Sequence, residues 1–188
     1  ARLKGAVLHT ADQSALVTGN KRLLRWGGLW SFPMLVGQQT TPWMLEAMIG
    51  WGVARKDGDA ARAKRYLARL YTTADYFLGT NALNQTWLTG VGERFPDEIF
   101  HLDAWYVYGG KYPKGYIPYS PWRKEKDWGQ GPWDQHWADQ TVFPKIDEWP
   151  GNERWFSNRN SPMGSEFTVH QNIGPAAAFY GFIGGKAR

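Results

Sequence analysis

Glu166 is a candidate for proton transfer. It lies between loops rich in glycine and aromatic residues and an apolar stretch near the end of the chain. Partial removal of a carboxyl group from water raises its pKa, which would keep Glu166 protonated near neutral pH, as a general acid requires. From these residues alone, however, the favoured interpretation is a surface glutamate in the first turn of a helix, where the helix dipole stabilises the negative charge.

His101 begins a second group of candidate residues. Its imidazole is suited to donate a hydrogen bond to a ligand hydroxyl, although an ordinary loop histidine fits the same position. Asp103, Trp105 and Tyr106 follow His101 closely enough to line the same groove, and Trp87 is a further candidate for ligand contact. These five side chains are therefore the predicted substrate-binding residues.

A third group suggests a metal site but lacks the expected spacing. His136 lies between Asp134 and Asp139, and both residue types bind metal ions. No second histidine follows four residues later, so hydrogen bonding within a loop is the favoured interpretation. Asp147 and Glu148 are further carboxylates without an assigned role. No metal site and no cofactor are predicted, and the sequence does not fix whether Ca²⁺ is bound.

Aromatic residues are the most unusual feature of the composition. The 188 residues include 12 Trp, 9 Tyr and 9 Phe, many of them in segments without helical or strand periodicity. Aromatic faces stack on the C–H faces of sugar rings, while carboxylates, amides and indole N–H groups bind the hydroxyls. The composition is therefore typical of a carbohydrate site, although filling a core is the commoner role of any single tryptophan.

Helices are expected to position these residues in the first part of the chain. Apolar residues spaced by threes and fours predict a helix over 2–17. Thr41 and Pro42 fit the N-cap and first position of a second helix over 41–55. A third helix is predicted over 60–78, and the short connection between the last two makes them an antiparallel hairpin.

The segment 80–164 has a different character, because glycine, proline and aromatic residues interrupt every long periodic pattern. Such a long irregular stretch is either functional or disordered, and its aromatic content argues against disorder. We interpret it as substrate-binding loops over one end of a helical scaffold. The acid-bearing segment 165–188 follows and contains a predicted last helix over 176–183. The prediction is one all-α domain over 1–188, with its main helices in 1–79.

Charge and composition exclude several classes of function. The net charge is +5 and the pI is near 9.4, but the basic residues are scattered or lie along 55–69, where a solvated helix face is expected. Nucleic acid is therefore not expected as a partner. The chain has no cysteine, which excludes disulfides and thiolate chemistry. It also lacks a long apolar run and a recognisable leader, so we expect a soluble chain with no membrane partner.

Four motifs, in order, resemble glycoside hydrolase family 9. The stretch 75–83, Asp-Tyr-Phe-Leu-Gly-Thr-Asn-Ala-Leu, leads into Thr-Trp-Leu-Thr-Gly-Val-Gly at 86–92. This is similar to the family's D-Y-x-L-G-x-N-P-L helix end and its Tyr-Val-Thr-Gly-Phe-Gly loop. Pro96 and His101 match the spacing of the family's proline and His-His-Arg. The stretch 165–172, Ser-Glu-Phe-Thr-Val-His-Gln-Asn, resembles the Asn-Glu-Val element, whose catalytic Glu lies six residues before the Asn that opens the last helix.

The resemblance implies the C-terminal portion of an (α/α)6 barrel and an endoglucanase-type (cellulase) enzyme of polysaccharide degradation. It implies inverting hydrolysis of β-1,4-linked or mixed-linkage glucan, with Glu166 as the general acid, and a secreted or periplasmic location. Phe100, Leu102 and Ser165 stand where the family has His, Arg and Asn. The first two changes remove donors that hold glucosyl hydroxyls in the family.

One half of the catalytic pair is absent from the chain. The family's water-activating aspartates lie in an Asp-Ala-Gly-Asp motif, near the start of a domain roughly twice this length, and no such motif occurs here. Inverting hydrolysis needs that second carboxylate about 6.5–9.5 Å from the acid. The chain is then a fragment, has lost catalysis, or uses another local carboxylate.

The partial barrel sets the expected partners and the competing functions. Half of a closed barrel exposes apolar faces, so we expect association with the missing N-terminal half or with a second copy. The expected ligand is a β-glucan polysaccharide or oligosaccharide. The alternative function is a non-catalytic glycan-binding protein with an aromatic groove, and a plain helical scaffold explains the Trp-rich loops least well.

Overall fold

The structure, a computed structural model, describes residues 2–19, 41–118, 142–150, 153, 155–159, 162–167 and 172. Over these residues it contains helices, turns and irregular segments, and no strand. The helices are α1 (Arg2–Gly19), α2 (Thr41–Lys56), α3 (Ala60–Phe77), α4 (Leu102–Tyr106) and α5 (Pro162–Ser165), with a 3₁₀ turn at Ile146–Glu148. No helix in this part of the chain is long and apolar enough to cross a membrane.

Helices α2 and α3 pack against each other as the predicted hairpin, and α1 packs on both. Helix α3 begins where the Asp59 carboxylate accepts a hydrogen bond from the Arg62 backbone N–H at 3.0 Å. This N-cap satisfies a donor that the helix itself leaves unpaired. Gly58 has a φ of +74° in the connection, a conformation that glycine adopts without steric cost. The chain therefore reverses within the few residues between the two helices.

Close packing joins α1 to the hairpin. Leu8, Ala11, Ala54 and Tyr66 are buried together in one cluster. Gly50 lies so close to this cluster that a methyl group at position 50 would come within 2.5 Å of Ala11 Cβ. The three helices thus meet at small residues, which let their backbones approach.

A polar network closes the same interface. The Tyr66 hydroxyl donates to Asp12 Oδ1 at 2.7 Å, and Arg62 Nη2 donates to Asp12 Oδ2 at 3.2 Å. Arg65 also pairs with Asp12. Burial alone would raise the Asp12 pKa, but the hydrogen bonds from Tyr66 and Arg65 and the two guanidinium charges lower it. Burial, followed by the Asp12 carboxylate, raises the pKa of Tyr66 to about 12. The network holds α1 on α3.

A second core lies at the C-terminal end of α3. It is a cluster of buried residues drawn from the end of the helix and from the loops that follow: Tyr76, Phe77, Trp87, Leu88, Ile117, Ile146 and Trp155. Trp87 and Trp155 pack edge to face, with ring centroids 5.2 Å apart. The described loops are therefore packed on the helical part through aromatic contacts. The predicted last helix over 176–183 lies outside the described residues.

Candidate functional site

The chain turns sharply after α3, and the side chain of Asn81 organises the turn. Its Nδ2 donates to the carbonyls of Tyr76 and Gln85 at 2.8 and 2.7 Å, and its Oδ1 accepts from the Leu83 N–H at 3.1 Å. Gly79, at the start of the turn, has a φ of +131°. The asparagine of the first motif thus sets the direction in which the following loop leaves the helix.

Thr89 fastens the next loop to a segment more than twenty residues away. Its Oγ1 donates to the Pro113 carbonyl at 2.9 Å and accepts from the Tyr116 N–H at 3.0 Å. Its backbone N–H donates to the Tyr116 carbonyl at 3.0 Å, and its carbonyl accepts from the Gly115 N–H at 2.7 Å. The second motif is therefore fixed to the strip of chain that carries Tyr116.

The segment that carries Glu166 is held by bonds on both sides. The Ser165 carbonyl accepts from the Phe100 N–H at 2.8 Å, and the Gly164 carbonyl accepts from Trp155 Nε1 at 2.8 Å. Farther along, Asn172 Oδ1 accepts from the Ile117 N–H at 2.7 Å. Because these partners lie at 100, 117 and 155, Glu166 is located relative to three separate parts of the chain.

Three rings stack beside Glu166. Phe167 lies against Tyr116, with centroids 4.5 Å apart and planes at 14°, and its ring is also 5.6 Å from the imidazole of His101. Glu166 itself is half-buried. The two residues that flank Glu166 thus contact Phe100 and His101, so the segments that carry Glu166 and His101 lie side by side.

A hydrogen bond indicates which nitrogen of His101 carries the proton. Its Nδ1 accepts from the Ala104 backbone N–H at 3.2 Å, as the N-cap of α4. A nitrogen that accepts a hydrogen bond is unprotonated, so in the neutral ring the proton lies on Nε2. The half-buried imidazole can therefore cap the helix and still offer Nε2–H as a donor.

The other candidates on α4 have different environments. Asp103 is exposed, and Tyr106 is 78% exposed. Trp105 is half-buried, with its Nε1 donating to the Ile99 carbonyl at 3.2 Å and the Arg159 guanidinium 4.5 Å from its ring centroid. Its N–H is thus engaged within the protein, and Arg159 lies over one face of its ring.

Trp87 is buried in the core, which contradicts its predicted contact with the substrate. Its side chain is 0% exposed in the core at the end of α3. A ring with no accessible surface cannot touch a sugar. Trp87 instead packs in the buried cluster at the end of α3. The motif drew attention to Trp87, but an aromatic residue of a binding loop and one of a core look alike in a sequence.

Tyr112 packs close to the same region, where burial, followed by the charges of Asp97 and Glu98, raises its pKa to about 12. Its hydroxyl donates to the Pro96 carbonyl at 3.3 Å, and its ring lies 6.3 Å from that of Trp105. The tyrosine therefore stays neutral and ties the segment before His101 to the one after α4.

Tyr116 and Phe167, which stack on each other beside Glu166, were not among the predicted site residues. Phe167 lies within the fourth motif, which was the available signal, whereas no pattern marked Tyr116. His136, Asp134 and Asp139 lie outside the described residues, as does the side chain of Asp147, and Glu148 is exposed. Within the described ranges, no group of three or more His, Asp or Glu side chains is placed to hold a metal ion.

Comparison with solved structures identifies the fold. The chain is similar to a metagenome-derived glycoside hydrolase family 9 endoglucanase, with a TM-score of 0.69 and 16% identity over 95% of this chain and 28% of that one. For the family 9 endoglucanase J30 the TM-score is 0.72, with 12% identity over 98% of this chain and 31% of that one. For AaCel9A, solved in complex with cellobiose-like isofagomine, the TM-score is 0.68, with 18% identity over 97% of this chain and 31% of that one.

These similarities confirm the predicted all-α class and the resemblance to part of a family 9 (α/α)6 barrel at the level of the fold. The chain spans less than a third of the length of these structures. No protein-family model and no curated protein matches the sequence.

Proposed function

We propose that this chain is part of an inverting hydrolase of β-1,4-linked or mixed-linkage glucan, in which Glu166 is the general acid. The fold supports a glycoside hydrolase in general terms, because the similar solved structures are endoglucanases. The observation that carries the assignment is local. Glu166 is half-buried between Ser165, which is bonded to Phe100, and Phe167, which is stacked on His101.

The proposed mechanism assigns one step to this chain. Glu166 protonates the glycosidic oxygen as the bond to the anomeric carbon breaks, and His101 Nε2–H donates to a sugar hydroxyl. A second carboxylate, which the chain's motifs do not include, activates water on the opposite face of the ring. We place this base in a segment outside the chain. Asp103, Trp105 and Tyr106 are the proposed neighbouring binding residues.

The substitution Glu166→Gln tests this assignment, because glutamine keeps the shape of the side chain and cannot donate the proton. Reducing-sugar release from lichenan or carboxymethylcellulose is measured for the chain mixed with an upstream segment, the N-terminal half of the barrel, because the chain alone lacks the proposed base. We expect the variant to be slower by about 10²–10⁴-fold, the usual contribution of a general acid. Glu153→Gln, at an exposed glutamate, is the matched control and should leave the rate unchanged. Hydrolysis that survives Glu166→Gln unaltered would contradict the proposed role.

A non-catalytic glycan-binding protein with an aromatic groove is the second candidate, and the absence of an Asp-Ala-Gly-Asp motif favours it only if no other segment supplies the base. It predicts that cellotetraose binds to the chain but that no reducing sugar appears, with or without an upstream segment. In that case Glu166→Gln would change neither binding nor the absence of hydrolysis.

A further inference from the structure

A second cleft, with a volume of about 410 Å³, lies between the segments 93–97 and 155–157. We call it the 93–157 cleft. Neither Glu166 nor His101 is among its lining residues. Its volume falls in the range of small-molecule sites, which is about 300–1,000 Å³. The 93–157 cleft is therefore large enough to be a binding site and is lined by residues other than those of the proposed catalytic centre.

Hydrogen bonds hold the walls of the cleft in place. The Asp97 backbone N–H donates to Ser157 Oγ at 3.2 Å, which joins one wall to the other. The Thr86 N–H donates to the Arg94 carbonyl at 2.9 Å, and Thr86 Oγ1 donates to the Val91 carbonyl at 2.6 Å. Because its walls are bonded to each other and to the loop after α3, the cleft is preformed.

An unpaired donor lies just behind the lining of the 93–157 cleft. Gln85 lines the cleft and is only 9% exposed. Its Nε2 is buried and has no hydrogen-bond partner among the described residues, although its backbone carbonyl is fixed by Asn81. Leaving a buried donor unpaired is costly, so a hydrogen-bond partner for it would stabilise the structure. Because Nε2 has almost no accessible surface, it can donate to a molecule in the cleft only after the Gln85 side chain rotates.

The remaining lining selects the chemical class of ligand. Glu93 and Asp97 offer acceptors for hydroxyl groups, while Phe95 and Phe156 are half-buried rings. Two carboxylates against the single guanidinium of Arg94 disfavour an anion. Acceptors and donors beside aromatic faces suit a neutral molecule with many hydroxyls and an apolar face.

We propose that the 93–157 cleft is a second carbohydrate site, which binds a glucosyl unit of a β-glucan without hydrolysing it. The inference rests on the proposed function only for the identity of the sugar. It requires no catalysis by this chain. A glucan held in this cleft would keep the chain attached to the polymer independently of the Glu166 site.

Nuclear magnetic resonance of the whole ¹⁵N-labelled chain tests this. During titration with cellotetraose, the side-chain amide of Gln85 and the indole N–H of Trp155 should shift together and saturate. Glu93→Ala should weaken this binding about fivefold, the effect of losing one hydrogen bond. The matched substitution Glu153→Ala, at an exposed glutamate that does not line the cleft, should leave it unchanged, as should Glu166→Gln.

The outcomes separate the second site from the proposed hydrolysis. Shifts confined to residues around Glu166 and His101 would overturn the second site and leave the hydrolase intact. Cleft signals that respond to Ca²⁺ or inorganic phosphate but not to cellotetraose would also overturn it. Cleft binding that persists while Glu166→Gln leaves hydrolysis unaltered would support the second site and count against the proposed acid.

Discussion

The surroundings of Tyr112 and of Tyr66 both disfavour ionisation of the tyrosine hydroxyl. Burial, followed in each case by nearby carboxylates, raises the pKa of both residues to about 12, from an ordinary value of 10.0. Unfolding removes these influences. A folded-state pKa above the unfolded one stabilises the fold below pH 10.0, and the stabilisation is lost as the pH rises towards 12.

Titration of tyrosinate absorbance checks this prediction. We expect Tyr112→Phe and Tyr66→Phe each to remove one proton from the ionisation step near pH 12. Each variant should also lose less stability than the parent chain as the pH rises above 10.0. Equal alkaline loss of stability in the parent and both variants would contradict the assignment.

His101 allows its two roles to be separated by substitution. Asparagine is a good N-cap but cannot place a donor where Nε2–H lies, whereas alanine provides neither function. We expect His101→Asn to keep thermal stability and to weaken cellotetraose binding at the Glu166 site. His101→Ala should weaken binding similarly and also lower the free energy of unfolding by about 1 kcal/mol. Binding by His101→Asn as tight as that of the parent chain would remove the histidine from the sugar site.

Single residues of the site were predictable only where they belong to a motif. Glu166 and His101 were selected by residue type and spacing, and the structure brings the segments that carry them together, while their roles stay predictions. Tyr116 could not be selected in this way, because its role comes from stacking on Phe167, which lies about fifty residues farther along the chain. Trp87 shows the opposite error, since residue type alone does not distinguish a buried ring from an exposed one.

At the scale of helices, two glycines of α2 give a matched test of packing. A methyl group at Gly50 would lie 2.5 Å from Ala11 Cβ, whereas one at Gly52 would have nothing within 4 Å. We expect Gly50→Ala to lower the free energy of unfolding by about 1–3 kcal/mol through overpacking. Gly52→Ala should raise it by about 0.5–1 kcal/mol, because alanine loses less entropy in a helix. Urea unfolding measures both, and similar stabilities in the two variants would refute the close approach of α1 and α2.

The long helices were predictable and the short one was not. The predicted spans 2–17, 41–55 and 60–78 agree within two residues with α1, α2 and α3. Apolar periodicity identifies a helix of sixteen or more residues, as these are. Helix α4 has five residues and depends on the His101 cap. The path of the surrounding loops depends on pairings such as Thr89 with Tyr116, which join distant segments and leave no local pattern.

For the whole molecule, the exposed apolar surface leads to a prediction about association. Side chains that are at least half exposed include Leu3, Leu78, Leu102, Tyr106, Val107 and Tyr108. Where several exposed apolar side chains lie next to one another, their surface favours contact with another protein surface. We expect the sedimentation coefficient to rise with protein concentration, or on addition of an upstream segment.

Substitution within the exposed stretch after α4 is the corresponding test. Val107→Ser should reduce the association, and Lys111→Ser, at an exposed polar residue nearby, should not. A compact monomer at every concentration, alone and with the upstream segment, would contradict the prediction.

The anchoring of Glu166 has a consequence for protein engineering. Its segment is tied to Phe100, Ile117 and Trp155 through separate hydrogen bonds. A designer who grafted only residues 162–172 onto a foreign helical scaffold would transfer the carboxyl group without the surroundings that orient it. The smallest transplantable unit therefore includes residues 77–118 and 155–172, two stretches that must be inserted at matching points of the recipient.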